Sequence, residues 1–340
     1  MTGKSQSRQR VRVTLGILLS LLFLYLSIRG IDWAEFARLF QGAAYGYLVL
    51  AFLVIAFLSW LRGLRWHYLT RRDPGITVGT LFHLMNISYF FNNTLPAKAG
   101  EFVRGYLAGR QLTGGYGQAA SSLLIGALLD VLSMIIILVG LLPVLEIPDW
   151  IRQGGLVFGA LAVGGTILLL IIARQGQRGL DWAWSYIGRI PKVGTPGVKA
   201  AFTQLISGFG VLLEWRYVLP ILLTTLILWV VSAGLNYIMM LVFRMDALPF
   251  SAALMVLCAT GFSMMVPSSP GAIGVFEWAG VQGLLIFSVE QSAAFGYMLG
   301  LHLFTNLTLI VLGLVGMVTQ GLTYAHVKSV VESGSQAAEL

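Results

Sequence analysis

Asn92-Asn93-Thr94-Leu95-Pro96-Ala97-Lys98-Ala99-Gly100-Glu101 sets a proline, three residues and a glycine into an otherwise apolar run. Met264-Met265-Val266-Pro267-Ser268-Ser269-Pro270-Gly271 repeats that punctuation about half the chain further on. Proline removes a backbone donor and blocks helix continuation. A spanning helix tolerates such a break only where the freed backbone is buried in protein or lines a polar cavity. Paired interruptions at corresponding points of two halves point to a transporter-type site. The tip residues read on this basis are Asn92, Asn93, Pro96, Gly100, Pro267, Ser268, Ser269, Pro270 and Gly271. The prolines stop the incoming helices, Gly100, Gly271 and Gly274 permit tight turns and close approach, and the Ser, Asn and Thr side chains are expected to satisfy the tip backbone.

The 340 residues are 57% hydrophobic and 11% charged, with a mean hydropathy of +0.82. A soluble domain carries about 25% charged residues, so the chain reads as one all-α polytopic membrane domain over 1–340. A net charge of +8 raises the question of nucleic acid. The Lys and Arg residues, however, cluster between apolar spans as the positive-inside rule requires, and no nucleic-acid partner is expected. Val13 to Ile28 follows a basic head (Lys4, Arg8, Arg10, Arg12) without a small-residue cleavage site, and reads as a retained span. The single cysteine, Cys258, excludes an intramolecular disulfide. His67, His83, His302 and His326 show no ligand spacing, so no metal or other cofactor is expected.

Runs near the length needed to span lie at roughly 13–28, 45–61, 120–142, 154–173, 218–241 and 292–322. Arg62, Arg65, Arg71 and Arg72, with Trp60, Trp66 and Tyr68, read as a cytoplasmic anchor with its aromatic belt. The basic connection 174–217 is cytoplasmic too, and the nearly neutral turn 143–153 lies outside. These placements agree only if 77–110 enters and leaves from the inside. The same reasoning makes 249–289 a hairpin from the outside, with Lys328 and the C-terminus in the cytoplasm. The expected architecture is an inverted-topology repeat of about six full spans plus two opposed re-entrant helical hairpins. The first repeat covers 12–146, the second, inverted one 154–325, and 1–11 and 326–340 are cytoplasmic tails. Amphipathic stretches at 31–40 and 197–214 are expected along the interface. Eight plain spans with proline kinks are the alternative.

Lys98, Glu101 and Arg104 are the sharpest binding candidates, because charges at membrane depth are expensive. A lipid phosphate suits Lys98 and Arg104 beside a helix N-terminus; the alternative is that Glu101 and Arg104 simply neutralise each other. Glu277 stands in an apolar setting and must find a cation or a proton. It either pairs with a basic residue of the first hairpin, binds a cationic headgroup or a coupling proton, or locks the two repeats. Asp130 pairs with Arg104 or supports a hairpin tip.

Leu61-Arg62-Gly63-Leu64-Arg65-Trp66, Leu95-Pro96-Ala97-Lys98-Ala99-Gly100-Glu101-Phe102-Val103-Arg104, Asp130, and Pro267-Ser268-Ser269-Pro270-Gly271-Ala272-Ile273-Gly274-Val275-Phe276-Glu277 occur in that order. In this the chain resembles the lysylphosphatidylglycerol synthase transmembrane-region, or flippase-like (UPF0104), family over about residues 12–325. In larger members this region precedes an aminoacyl-transferase domain and is implicated in moving the modified lipid between leaflets. Only about 15 residues follow the last span here, so the resemblance implies lipid handling without that chemistry. His302 and Asn306 stand where many members carry a basic residue.

The expected function is a translocase moving a phospholipid or polyprenyl-type lipid between leaflets of the cell (inner, cytoplasmic) membrane, with no catalytic residues. A non-transporting partner of a lipid-synthesis enzyme or glycosyltransferase is the alternative. A membrane-embedded transferase is disfavoured, because neither an Asp-rich nor a His-based metal motif is present.

Overall fold

The computed structural model describes residues 3–95, 98–146, 149–190, 194–265, 268–325, 327 and 329. Pro96, Pro267, Lys328 and His326 lie outside them, as do most of the expected C-terminal tail and the side chains of the N-terminal one. The described residues form helices and no strand: α1 (Gly3–Ile28), α2 (Trp33–Gln41), α3 (Tyr47–Leu69), α4 (Val78–Thr94), α5 (Ala99–Gly109), α6 (Gly115–Leu141), α7 (Asp149–Arg174), α8 (Gln177–Ile187), α9 (Pro196–Gly208), α10 (Trp215–Val242), α11 (Phe250–Ser263), α12 (Val275–Leu285) and α13 (Gln291–Thr319). Polar side chains start several of them. Asp32 Oδ1 accepts from the Ala34 N–H at 2.8 Å, Thr77 Oγ1 from Thr80 at 3.1 Å, and Glu290 Oε2 from Ser292 at 2.8 Å, meeting donors that a helix start leaves free.

Six helical stretches of the described residues are long and apolar enough to cross a membrane: α3, α6, Gly155–Arg174 of α7, Pro196–Leu213, α10 and α13. A seventh is the pair α1–α2, bent by 87° around Gly30, whose φ of 85° is costly for any residue with a Cβ. The chain is a multi-pass membrane protein. Large apolar side chains such as Ile136, Leu161, Leu226 and Val318 point outward, a surface that water would penalise.

The stretch 197–214, read from sequence as interfacial, meets the spanning minimum in length and hydropathy. Its contacts nevertheless hold it at one end of the bundle. A Cβ at Gly117 would meet Gln204, one at Gly208 would meet Ser121, and Glu214 accepts from Arg71 just past the end of α3 at 2.8 Å.

α3, α10 and α13 run through two separate cores. Ala51, Ile55, Leu235, Met239, Tyr297 and Leu301 belong to one, while Trp66, Leu69, Ile221 and Met317 belong to the other. Each core contains one pair of short helices. α4 and α5 pack with the second set, and α11 and α12 with the first. With 17 and 11 residues, α4 and α5 are about 26 and 17 Å long, short of a hydrocarbon core of about 30 Å. α5 folds back along α4: Asn92 meets Glu101, and Met85 meets Arg104. α12 likewise folds back along α11, where a Cβ on Gly283 would touch Met255 and Ala259. Each interruption therefore ends one arm of a helical hairpin and begins the other.

Candidate functional site

The two breaks meet. Lys98, at φ 53°, is the N-cap of α5, and its ammonium donates to the carbonyl of Met264 at the end of α11. Lys98 is exposed, and among the described residues no carboxylate lies within ion-pair distance of it. Beside it, Pro270 opens a 3-10 turn and Gly271 takes φ 69°. A Cβ there would lie 3.1 Å from Asn93 Oδ1 and 3.9 Å from Asn306 Nδ2. Asn93, Asn306, Lys98 and the backbone of the second break thus form a polar junction inside an apolar bundle.

α1 closes the other side of that junction. Ser269 N–H donates to Ser20 Oγ at 2.9 Å, and Gly16 and Gly274 let the α1 backbone approach Ser268 and the turn into α12. The second tip is satisfied both from α1 and from its own side chains, since Ser269 Oγ donates to the Pro270 and Ile273 carbonyls at 3.4 and 3.5 Å. Asn93 and Thr94 belong to the last turn of α4 and donate to the Tyr89 and Phe90 carbonyls at 2.9 and 3.0 Å. Gly100 is helical rather than a turn residue. It serves close approach, since a Cβ would stand 1.9 Å from the Ser88 carbonyl oxygen.

The remaining charges are matched differently from the sequence expectation. Asp130 pairs neither with Arg104 nor with a tip: both its oxygens accept from Arg65, at 2.7 and 3.0 Å. α3 packs beside α6, and a planar guanidinium suits such a bidentate contact. Arg65, read as a surface anchor, is 6% exposed. Arg104 pairs with Glu101 one turn away, contacts Met85 Sδ at 3.0 Å and lies over the Trp66 ring, 5.7 Å from its centroid. Its Nε is buried without a hydrogen-bond partner. Among the described residues, Glu277 bonds none of the first hairpin. Its Oε2 accepts the Gly274 N–H at 2.6 Å, and its Oε1 meets His302 Nδ1 on α13.

The chain belongs to the lysylphosphatidylglycerol synthase TM region family. Its profile matches residues 13–313, taking in both hairpins, the C-terminal part of α1 and most of α13. Among curated proteins the chain is similar to the glycosyltransferase AglD of Haloferax volcanii, 24% identical in an alignment 313 positions long that covers 82% of this chain and 49% of that protein. The chain therefore spans about half the length of that relative. No solved structure matches it.

Sequence reading missed Ser20 and the pairing of His302, and it noted Asn306 without giving it a place in the site. A signal was present: His302 and Asn306 stand at i and i+4, on one face of an apolar helix. Nothing in the sequence indicated which hairpin that face would meet.

Proposed function

We propose that this protein moves an amphipathic lipid between the leaflets of the cell membrane, with its termini on the cytoplasmic side and its two hairpins entering from opposite faces as an inverted repeat. The observation that carries this reading is the meeting of both breaks at Lys98 and Met264, beside Asn93 and Asn306. Two hairpins that meet midway offer a polar site open to either side by rocking of one against the other. Among the described residues Lys98 bonds a carbonyl and no carboxylate, so its ammonium can exchange that partner for a headgroup phosphate. Arg104, a turn and a half along α5, supplies a second cation once drawn from Glu101. The acyl or prenyl chains stay among the outward apolar side chains. The chain itself performs no bond chemistry.

Proteoliposomes containing the full chain and fluorescent anionic, zwitterionic or cationic phospholipids test this by dithionite quenching. Wild-type protein is expected to expose inner-leaflet label, and Lys98→Ala to slow this at least about tenfold, the loss of one charge-assisted hydrogen bond. Folded wild-type protein that exchanges none of these lipids would refute the proposal.

One observation favours a second reading. The relative named a glycosyltransferase is about twice as long as the region it shares with this chain, so in that protein the shared region is one part of a larger polypeptide. On this reading the present chain serves a separate glycosyltransferase or lipid synthase, which co-purification from native membranes would reveal.

A further inference from the structure

Glu277 and His302 form a sealed pair that headgroup binding leaves unused. They are 2% and 5% exposed, between α12 and α13. Both carboxylate oxygens are engaged, one by the Gly274 N–H and one by His302 Nδ1, and the Phe276 ring stacks on the imidazole with centroids 4.2 Å apart. Among the described residues, His302 Nε2 is buried and has no hydrogen-bond partner. That nitrogen needs one in either state: it accepts in the neutral ring with its proton on Nδ1, and donates in imidazolium.

No third charge touches the pair among the described residues. Of the helices against α12, α11 brings Cys258, bonded to the Met134 carbonyl, and α1 brings Tyr25, largely exposed. On α13 itself, Tyr297 donates to the Asn236 carbonyl of α10 at 3.0 Å. The other charges and rings packed against α13 are held elsewhere. Arg65 of α3 is on Asp130, Arg62 lies over Tyr89 of α4, Arg216 and Tyr217 of α10 sit by Glu214 and Arg71, and Tyr237 lies against Phe250. His83 of α4 lies beside Gly316, about four turns along α13 from His302. Glu35 and Arg38 belong to the first and last turns of α2, on the far side of the bend from α1. Lys98 of the first break is held on the Met264 carbonyl.

With one shared proton beyond the Nδ1–H the pair is neutral overall; without it, a net negative charge is left in an apolar shell, which is far costlier. The same carboxylate fixes the start of α12 through Gly274, whose φ of 88° makes the turn out of the second break and lets it lie against Ser20 and Leu24 of α1. A change of proton occupancy therefore acts directly on the geometry of that break.

We propose that Glu277 and His302 form a proton-binding site that couples lipid exchange to proton movement, the proton arriving at and leaving from His302 Nε2. This rests on the translocator reading above. In the loading step hydronium gives H⁺ to the Nε2 lone pair, water is released, and one N–H bond forms while the Nδ1–H stays donated to Glu277. The pair goes from net −1 to neutral. Unloading breaks that N–H bond and returns H⁺ to water on the opposite side.

The test uses the full chain in vesicles of zwitterionic lipid doped with a fluorescent anionic phospholipid, under a clamped gradient of one pH unit. One proton per lipid drives the steady-state leaflet ratio of label towards about tenfold in wild type. In Glu277→Gln and His302→Gln the ratio stays near one, whatever the rate of approach. A wild-type protein that exchanges lipid with a ratio indifferent to the gradient overturns the coupling and leaves the translocator standing. If wild type exchanges no lipid, both readings of transport fall. Infrared difference spectroscopy of the purified chain at two values of pH then decides proton binding by itself: a carboxyl–imidazole signal that changes with pH, absent from whichever of the two variants folds, supports the site. A wild type without that signal refutes it.

Discussion

Arg65 and Asp130 show how this protein keeps a charge inside an apolar bundle. The guanidinium is nearly sealed and cannot deprotonate, and among the described residues its ion-pair partner is the bidentate carboxylate. Asp130→Asn is expected to lower stability by about 3–5 kcal/mol, because it leaves an unpaired buried cation, whereas Arg65→Met with Asp130→Leu recovers most of that loss. Thermal unfolding in detergent measures both; an unchanged midpoint for Asp130→Asn would contradict the pairing. Asp73 is the comparable residue at the foot of the first hairpin. Burial alone would raise its carboxyl, but hydrogen bonds from the Thr113 hydroxyl and from the Gly75 and Thr113 N–H groups outweigh this and hold it below the ordinary carboxylate range. A lowered value in the folded state contributes stability that is complete above the unfolded value, near pH 4, and is lost as pH falls through the lower folded value. Asp73→Asn is therefore expected to flatten the acid limb of stability against pH and, by stranding donors, to cost about 1–3 kcal/mol at neutral pH.

At the scale of elements, the hairpins depend on backbones approaching without side chains between them. Gly100 meets the Ser88 carbonyl of α4, whereas Gly140 in α6 has nothing within 4 Å of a built Cβ. Gly100→Ala should overpack α4 against α5 and destabilise by about 1–3 kcal/mol, while Gly140→Ala should be neutral or stabilising by up to about 1 kcal/mol. Equal effects of the two in the same unfolding measurement would rule out close packing as the role of Gly100. The breaks themselves were legible in the sequence, since proline and glycine act locally on φ and on the backbone donor. What each break touches was not. Asn93 and Thr94 read as tip side chains, yet they bond their own helix, and the Ser269 N–H of the second tip is met by Ser20, some 250 residues away in the chain.

At the scale of the whole molecule, the two hairpins belong to different cores joined by α3, α10 and α13, and their free ends meet. If their bases face opposite sides of the membrane, single cysteines at Gln111→Cys and Ser288→Cys, in a Cys258→Ala background, react with an impermeant maleimide from opposite sides of sealed vesicles. Labelling of both from one side would exclude opposed hairpins. By itself the sequence determined that the chain is helical, multi-pass and interrupted twice, because hydropathy over about 20 residues, clustered cations and helix-breaking residues act within one segment. It also carried the family, in motifs whose order survives along the chain. Only the tertiary structure decided the partners: Arg65 with Asp130, Glu277 with His302, Lys98 with the Met264 carbonyl. A buried charge requires some counterpart, but several residues of the right sign lie in other segments. The choice among them is made by which helix faces pack together.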